Sequence, residues 1–374
     1  MTLHLGGEEL VTVSLCMIVK DEEQAIGRCL DSVKDLVDEI VIVDTGSTDR
    51  TKEIVRRYTD RIYDFQWIDD FAAARNYSFG QAAMDYILWL DADDVLLEED
   101  RKKFVRLKEQ LDPHIDAVTI DYHLAFDANG NVTFRTKRHR LVRRERGFRW
   151  VGAVHEYLEV RGNILHSDVA VTHRGDGRDP ERNLRIYDQR LARGETFSPR
   201  DLYYFANELC DHRQYDRAVY YAVYYYEKFL DTKKGWVEDN ISACGRLADC
   251  YFALREPEKA YQTLTQCLSF GPPRAEICCR IGYYFFQKGD FRTAIFWYNL
   301  ATQQEPSSQE MGFVNTAWHT WFPHLQLCIC YDRLGEHETA YHHNEMARKY
   351  QPNSPQVLHN KRYLEEVLNK KKGG

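Results

Sequence analysis

Residues 85–96, DYILWLDADDVL, run from five apolar positions into three carboxylates, Asp91, Asp93 and Asp94. A short apolar run bounded by polar residues predicts a buried strand. Two other runs end the same way, TVSLCMIVK (12–20) and EIVIVDTGS (39–47). Between them EEQAIGRCLDSVKDLV (22–37) and STDRTKEIVRRYTD (47–60) place apolar residues at helical spacing, with Ser47 and Asp49 as an N-cap signal. A short strand, RIYDF (61–65), precedes a helical DDFAAARNYSFGQAAM (69–84). Strand and helix in alternation predict an open, mostly parallel α/β sheet. Ligands of such sheets bind at the carboxyl ends of the strands, where each of these polar loops falls.

Past residue 115 the pattern changes. IDAVTIDYHLAF (115–126) and VTFRTKRHRLVRR (132–144) read as strands joined at Asn129-Gly130, a hairpin signal. The strand DVAVTH (168–173) follows, then the charged, glycine-rich RGDGRDPERN (174–183). The expected divisions are a first domain over 1–180, a linker over 181–198 and a second domain over 199–374.

The second half repeats. Ala218, Ala260, Ala294 and Ala340 each open the second helix of a unit, and twelve residues before them stand Ala206, Ala248, Gly282 and Cys328. Pro272, Pro306 and Pro352 stand twelve after the last three. This pattern resembles the tetratricopeptide repeat, in which small residues let two helices approach closely. The alanine spacings are 42, 34 and 46, so two of three steps require longer helices or loops than the usual repeat of about 34 residues. Leu230, where proline is expected, marks the first unit as atypical.

Composition narrows the function classes. A chain of 374 residues with 44% hydrophobic and 29% charged residues is an ordinary globular composition for two domains. A net charge of −8 argues against a nucleic-acid partner. Without a spanning apolar stretch or secretory leader the expectation is a cytoplasmic protein with no integral membrane segment. Ten scattered cysteines without a CxxC pair read as reduced, buried thiols, with zinc or nucleophilic roles as the alternatives.

Carboxylates spaced i, i+2 on a strand share a face, so Asp91 and Asp93 together would suit a hard cation such as Mn2+ or Mg2+. A solvated turn is the competing reading. Asp44 ends the second strand above Gly46, Ser47 and Thr48, where its carboxylate could accept hydrogen bonds from a nucleoside. Arg75 could reach a phosphate or pair with an acid. The segment 135–149 holds eight Lys or Arg in fifteen residues, read as a solvated basic strand or a cover for an anionic group.

The motifs SLCMIVKDEEQAIGRCLDSV, EIVIVDTGSTDRT, DFAAARN and LWLDADD, in this order, together resemble the GT-A glycosyltransferases of family 2. Within them the chain is similar to the branch holding lipopolysaccharide core glucosyltransferases and bacterial peptide (bacteriocin) S- and O-glycosyltransferases. The resemblance covers about residues 12–175 and implies an α/β GT-A, Rossmann-like catalytic domain followed by tetratricopeptide-like repeats. It implies Val19 and Lys20 lining a nucleoside pocket, Asp44 on uracil or ribose, Arg75 and Asp91 at the donor, and Asp93, Asp91 and His173 on the metal. Glu156 is the first candidate for the base, with Asp94 in reserve and His155 orienting donor or acceptor. Trp150 and Tyr157 form the expected sugar-stacking neighbourhood. Asp21, where relatives carry Asn, departs from the pattern.

The resemblance implies inverting, metal-dependent transfer from a UDP-sugar, glucose or N-acetylglucosamine, to Ser, Thr or Cys of a polypeptide held by the repeats. Transfer to a lipid-linked or lipopolysaccharide glycan, or a silent scaffold, are the alternatives. A homodimer through the helical repeats is a further expectation.

Overall fold

The computed structural model describes residues 10–175, 179, 181–211, 217–305 and 311–372, without the side chains of 217, 218, 371 and 372. The chain divides into two compact units, Met1–Arg190 with Gln309–Phe313, and Leu191–Ser308 with Val314–Gly374.

The first unit is built on a mixed sheet. Its strands are β1 (Val13–Val19), β2 (Glu39–Asp44), β3 (Ile62–Asp64), β4 (Tyr86–Trp89), β5 (Asp94–Val95), β6 (Ala117–Phe126) and β7 (Val132–Arg143). A small hairpin of β8 (Arg149–Val151) and β9 (Tyr157–Glu159) precedes β10 (Ile164–His173). The order is β3-β2-β1-β4-β7-β6-β10-β5. β3, β2, β1 and β4 are mutually parallel, as the alternation predicts, and β7 enters antiparallel between β4 and β6. The crossovers are α1 (Ile26–Val33), α2 (Thr51–Val55) and α3 (Phe71–Phe79), and α4 (Glu98–Gln110) follows β5. Leu15, Met17, Ile42 and Leu88 on one face of the sheet pack with Ile26, Leu30 and Val33 of α1 in one buried cluster. The helix α2 is shorter than its periodicity predicts: Asp49, not Ser47, accepts from the Thr51 amide at its start.

The β6–β7 hairpin turns where Asn129-Gly130 predicts. Asp127 Oδ1 accepts from the amides of Asn129 and Asn131, and Gly130 takes φ 83°.

Segment 181–198, read as a linker, contains helix α5 (Arg182–Ala192). Its Ile186 and Tyr187 are buried, and the first unit extends through Arg190. The apolar pair at i, i+1 was too short a signal against so charged a background.

Among its described residues the second unit is helical apart from one short strand: α6 (Pro199–Asp211), α7 (Arg217–Asp231), α8 (Val237–Ala253), α9 (Pro257–Cys267), α10 (Ala275–Gln287), α11 (Phe291–Thr302), α12 (Trp321–Arg333), α13 (His337–Tyr350) and α14 (Pro355–Lys372). Four helix pairs match the four alanine registers, and α14 adds Val357 and Leu364 to the end of the stack. Ala260, Ala294 and Ala340 are fully buried. The side chain of Ala218 and all of Pro306 lie outside the described residues. At Gly282 a Cβ would stand 2.9 Å from the Tyr298 ring, so only glycine lets α10 and α11 approach this closely. The long spacing from Ala294 to Ala340 is taken up between α11 and α12, where Thr316–Trp318 forms a 3-10 turn.

Candidate active site

The carboxyl ends of β1, β2 and β4 converge with β5 and the end of β10. Val19 closes β1, buried, and its carbonyl accepts from the amide and hydroxyl of Thr45. Lys20 follows it, exposed. Asp44 is buried at the end of β2, and its Oδ1 accepts from the amides of Gly46 (2.9 Å) and Ser47 (2.8 Å). Its Oδ2 is buried without a hydrogen-bond partner. Half of this carboxylate therefore shapes the loop, and half remains as an acceptor. Asp21 takes φ 53°, which aspartate tolerates better than most residues. From there its Oδ1 accepts from the Thr48 amide at 2.7 Å. The departure at Asp21 thus clamps the Gly46–Thr48 loop.

Asp91 and Asp93 do not lie along a strand, and only Asp94 opens one, β5. β4 ends at Trp89, and residues 91–94 form a turn in which the Asp94 amide donates to the Asp91 carbonyl at 3.0 Å. Asp94 Oδ2 in turn accepts from the Asp91 amide at 3.0 Å. Period-two alternation therefore does not apply, and the turn sends Asp91 one way and Asp93 and Asp94 the other.

Asp91 faces Arg75 of α3. The guanidinium donates to Asp91 Oδ1 at 2.7 Å and to Glu156 Oε1 at 2.6 Å. Its Cζ lies 5.0 Å from the ring centre of Trp89 and 4.8 Å from that of Trp150. Burial opposes the charge on Arg75, but Asp91 and Glu156 offset it and hold the group cationic. Trp150, expected at a sugar, is instead 5% exposed and packs edge-on against Trp89 and Phe79. Tyr157 is exposed.

Asp93 and Asp94 face His173. Antiparallel pairing of β5 with β10 sets His173 opposite Asp94, and the Arg174 amide donates to the Asp93 carbonyl at 2.8 Å. One ligand atom from each of Asp93, Asp94 and His173 falls within 4.8 Å of the others. His173 Nδ1 lies 3.5 Å from Asp93 Oδ1 and 3.1 Å from the Tyr122 hydroxyl. Gly175 closes over them, since a Cβ there would come within 2.6 Å of Asp93 Oδ2 and 2.7 Å of His173 Nε2.

Asp94, the reserve base, has a different place. Its side chain is fully buried and its Oδ2 is 2.8 Å from the equally buried Arg140. An acid tied to a buried cation and to the Asp91 amide is badly placed to take a proton from an incoming acceptor. Its Oδ1, buried without a hydrogen-bond partner, belongs to the cluster with Asp93 and His173. Asp91, expected on the metal, is committed to Arg75.

Arg140 is the residue the sequence did not single out. It lies in the basic run read as a solvated strand or a cover for an anionic group, yet is fully buried, stacked between Trp89 (4.2 Å) and Tyr122 (4.3 Å). Leu141 pairs with Val118 and His139 with Thr119, so Arg140 is the extra residue of a β-bulge. Bulges re-aim a side chain, and strand alternation cannot foresee them. Lys137 of the same run is also buried, 2.8 Å from Asp121.

Helix α5 reaches the same region. Tyr187 stacks on His155 (6.5 Å, 19°), and Arg182 lies over Phe71 at the start of α3. His155 has φ 51°, an uncommon conformation for a non-glycine residue beside a candidate catalytic group. The nearby Cys29 is fully buried, and burial, then the carboxylates of Asp94, Asp91 and Asp93, push its thiol well above the usual range, which opposes a nucleophilic role.

Two guanidiniums, Arg75 and Arg140, thus stand among four carboxylates, Asp91, Asp93, Asp94 and Glu156. The formal excess of two negative charges, with a partnerless buried oxygen on Asp94, suits a divalent cation with oxygen and imidazole ligands.

Residues 14–159 match the family model described as glycosyl transferase family 2, and 241–271 and 275–308 match the tetratricopeptide repeat. The chain carries a family 2 glycosyltransferase domain followed by tetratricopeptide repeats. A TPR repeat-containing protein of Synechococcus elongatus is 39% identical over 154 residues, 41% of this chain and 37% of its own length. The SPbeta prophage-derived glycosyltransferase SunS of Bacillus subtilis is 27% identical over 240 residues, 59% of this chain and 56% of its own. An uncharacterized glycosyltransferase of Rickettsia typhi is 31% identical over 87 residues, 23% of this chain and 30% of its own. The chain thus spans little more than half of these relatives at most. Among the described residues no helix is long and apolar enough to cross a membrane.

Proposed function

We propose that this protein is an inverting, metal-dependent glycosyltransferase that moves glucose or N-acetylglucosamine from a UDP-sugar to Ser, Thr or Cys of a polypeptide. The observation that carries the reading is the cluster of Asp93, Asp94 and His173 at the strand ends of a family 2 domain. Asp93, Asp94 and His173 would hold Mn2+ or Mg2+. A bound divalent ion there would neutralise the leaving diphosphate as a Lewis acid. Asp44 Oδ2 is the acceptor left for a uracil N–H or ribose hydroxyl beside Val19 and Lys20. Arg75 orients Asp91 at the donor and fixes Glu156 in one orientation. Glu156, 11% exposed, takes the acceptor's proton through the oxygen that Arg75 does not occupy. His155, stacked on Tyr187, orients the acceptor.

The repeats are the acceptor-holding element, since stacked repeats form extended peptide-binding surfaces. The test is release of UDP from a panel of nucleotide sugars with Mn2+ and a candidate peptide pool, followed by mass spectrometry of the peptides. Mn2+-dependent UDP release with a hexose-sized mass gain on peptide is expected. No UDP release with any donor, metal or acceptor overturns the enzymatic reading, and transfer to a glycan but never to peptide overturns the acceptor assignment.

A further inference from the structure

All ten cysteines are free, and nine are buried; only Cys210 is partly open to solvent. Its sulfur lies 3.3 Å from that of Cys250. Cys210 sits in the last turn of α6 and Cys250 in α8, the first helices of the first two repeats, 40 residues apart in sequence. Cys244 and Cys267 make a second interacting pair, but both are buried; Cys210 is the partly exposed thiol, and polar groups flank it and Cys250. One turn before Cys250, Arg246 donates to the Tyr226 hydroxyl (2.9 Å) and is ion-paired with Asp211, the residue after Cys210. Tyr226 donates to Asn207, one turn before Cys210.

We propose that Cys210 and Cys250 form a redox modification site, a dithiol that small disulfides such as glutathione disulfide convert to a disulfide joining α6 to α8. The proposal is independent of glycosyl transfer. The two sulfurs differ in role. The hydrogen bond from Cys250, then the Arg246 guanidinium, hold the Cys210 thiol below its usual range against the effect of burial. The same bond, then burial, push the Cys250 thiol up. Cys210, the more accessible of the two, is therefore the attacking thiol and Cys250 the resolving one.

The Cys210 thiolate attacks one glutathione sulfur, the glutathione S–S bond breaks, and the first glutathione leaves as a thiolate. The Cys250 sulfur, its proton passing to solvent, then attacks the Cys210 sulfur, and the second glutathione leaves. The protons lost by the two cysteines are matched by those gained by the two glutathiones. The cysteine pair is oxidised by two electrons, and glutathione disulfide is reduced by two. In a repeat stack stability is a sum over units and their interfaces, so a bond between α6 and α8 stiffens the atypical first unit against the second.

The experiment incubates the full chain with glutathione disulfide, alkylates the remaining thiols, digests and maps the peptides. The expected result is a linked Cys210–Cys250 peptide, an intact mass two hydrogens lighter, and a thermal midpoint raised by several degrees, all reversed by dithiothreitol. In Cys250→Ser, Cys210 should accumulate as a glutathione adduct. In Cys210→Ser, no link and no adduct should form at Cys250. The proposal is overturned if, in the unaltered sequence, Cys210 stays fully alkylatable, stops at the glutathione adduct, or bonds a cysteine other than Cys250. The mapping of the unaltered chain needs no variant, so a serine variant that failed to fold would not shelter it.

Discussion

Arg140 and Asp94 form an ion pair at 2.8 Å in which neither side chain is exposed to solvent. Burial opposes the charge on Arg140, and Asp94 is the largest influence restoring it. Removing one partner of such a pair leaves the other charge stranded, which costs more than the pair contributes. Arg140→Met is expected to destabilise the first unit by roughly 3–5 kcal/mol in urea unfolding. Adding Asp94→Asn should recover part of the loss. A single variant as stable as the parent would mean that water already reaches the pair.

Gly175 has no positive φ, so alanine there costs nothing in backbone strain. The added methyl would press on Asp93 and His173 instead. Gly175→Ala should therefore leave the melting temperature nearly unchanged and weaken Mn2+ binding by about 10-fold or more, read by calorimetry. Unchanged Mn2+ affinity would move the cation away from this cluster.

Glu156→Gln keeps an oxygen for Arg75 but removes the proton acceptor. Transfer should fall by about 10²–10⁴-fold while the dissociation constant for the UDP-sugar stays within a few-fold. If turnover survives, the base lies elsewhere. Loss of donor binding would make the role of Glu156 purely that of an Arg75 partner.

Tyr187 is fully buried in the helix that the sequence presents as a linker. Tyr187→Ala should cost about 3–5 kcal/mol of stability, and Tyr187→Phe, which keeps the ring over His155, far less. Equal stability of both variants would show that α5 is not part of the first unit's core.

In the second unit, burial and then His324 and His342 bring the His343 pKa down from 6.5 to about 4. His343 stacks on Tyr331, and its Nδ1 is 3.0 Å from that of His324. Folded His343 binds fewer protons than the unfolded chain between these two values. Its penalty on folding is absent above pH 6.5, grows as pH falls, and levels off below about 4. The thermal midpoint of the repeats should drop through this window, and His343→Gln should flatten the drop. An equally steep drop in the variant would assign it to other groups.

The parallel half of the sheet was legible because β1, β2 and β4 are short apolar runs with helical spacing between them. The repeats were legible because close helix contact admits only small side chains, as Gly282 against Tyr298 shows. Helix α5 was not, since two buried residues in a charged stretch leave no periodic signal. Asp44 and Asp93 were picked out by their place after strands, Arg75 by its place in a crossover helix, and Glu156 and His173 by the family resemblance; the fold joins all but Asp44 through Asp91 and Asp94. The division of labour among the acids was not readable.

By itself the sequence determined which residues stand at the ends of strands, because hydrophobic period and loop chemistry act over a few neighbours. Only the tertiary structure decided what each acid faces. A four-residue turn, not strand alternation, points Asp91 at Arg75 and Asp93 at His173. The pairing of β5 with β10, and the bulge that turns Arg140 inward, involve partners tens of residues away. Such contacts depend on strand register and packing in three dimensions, which no local pattern encodes.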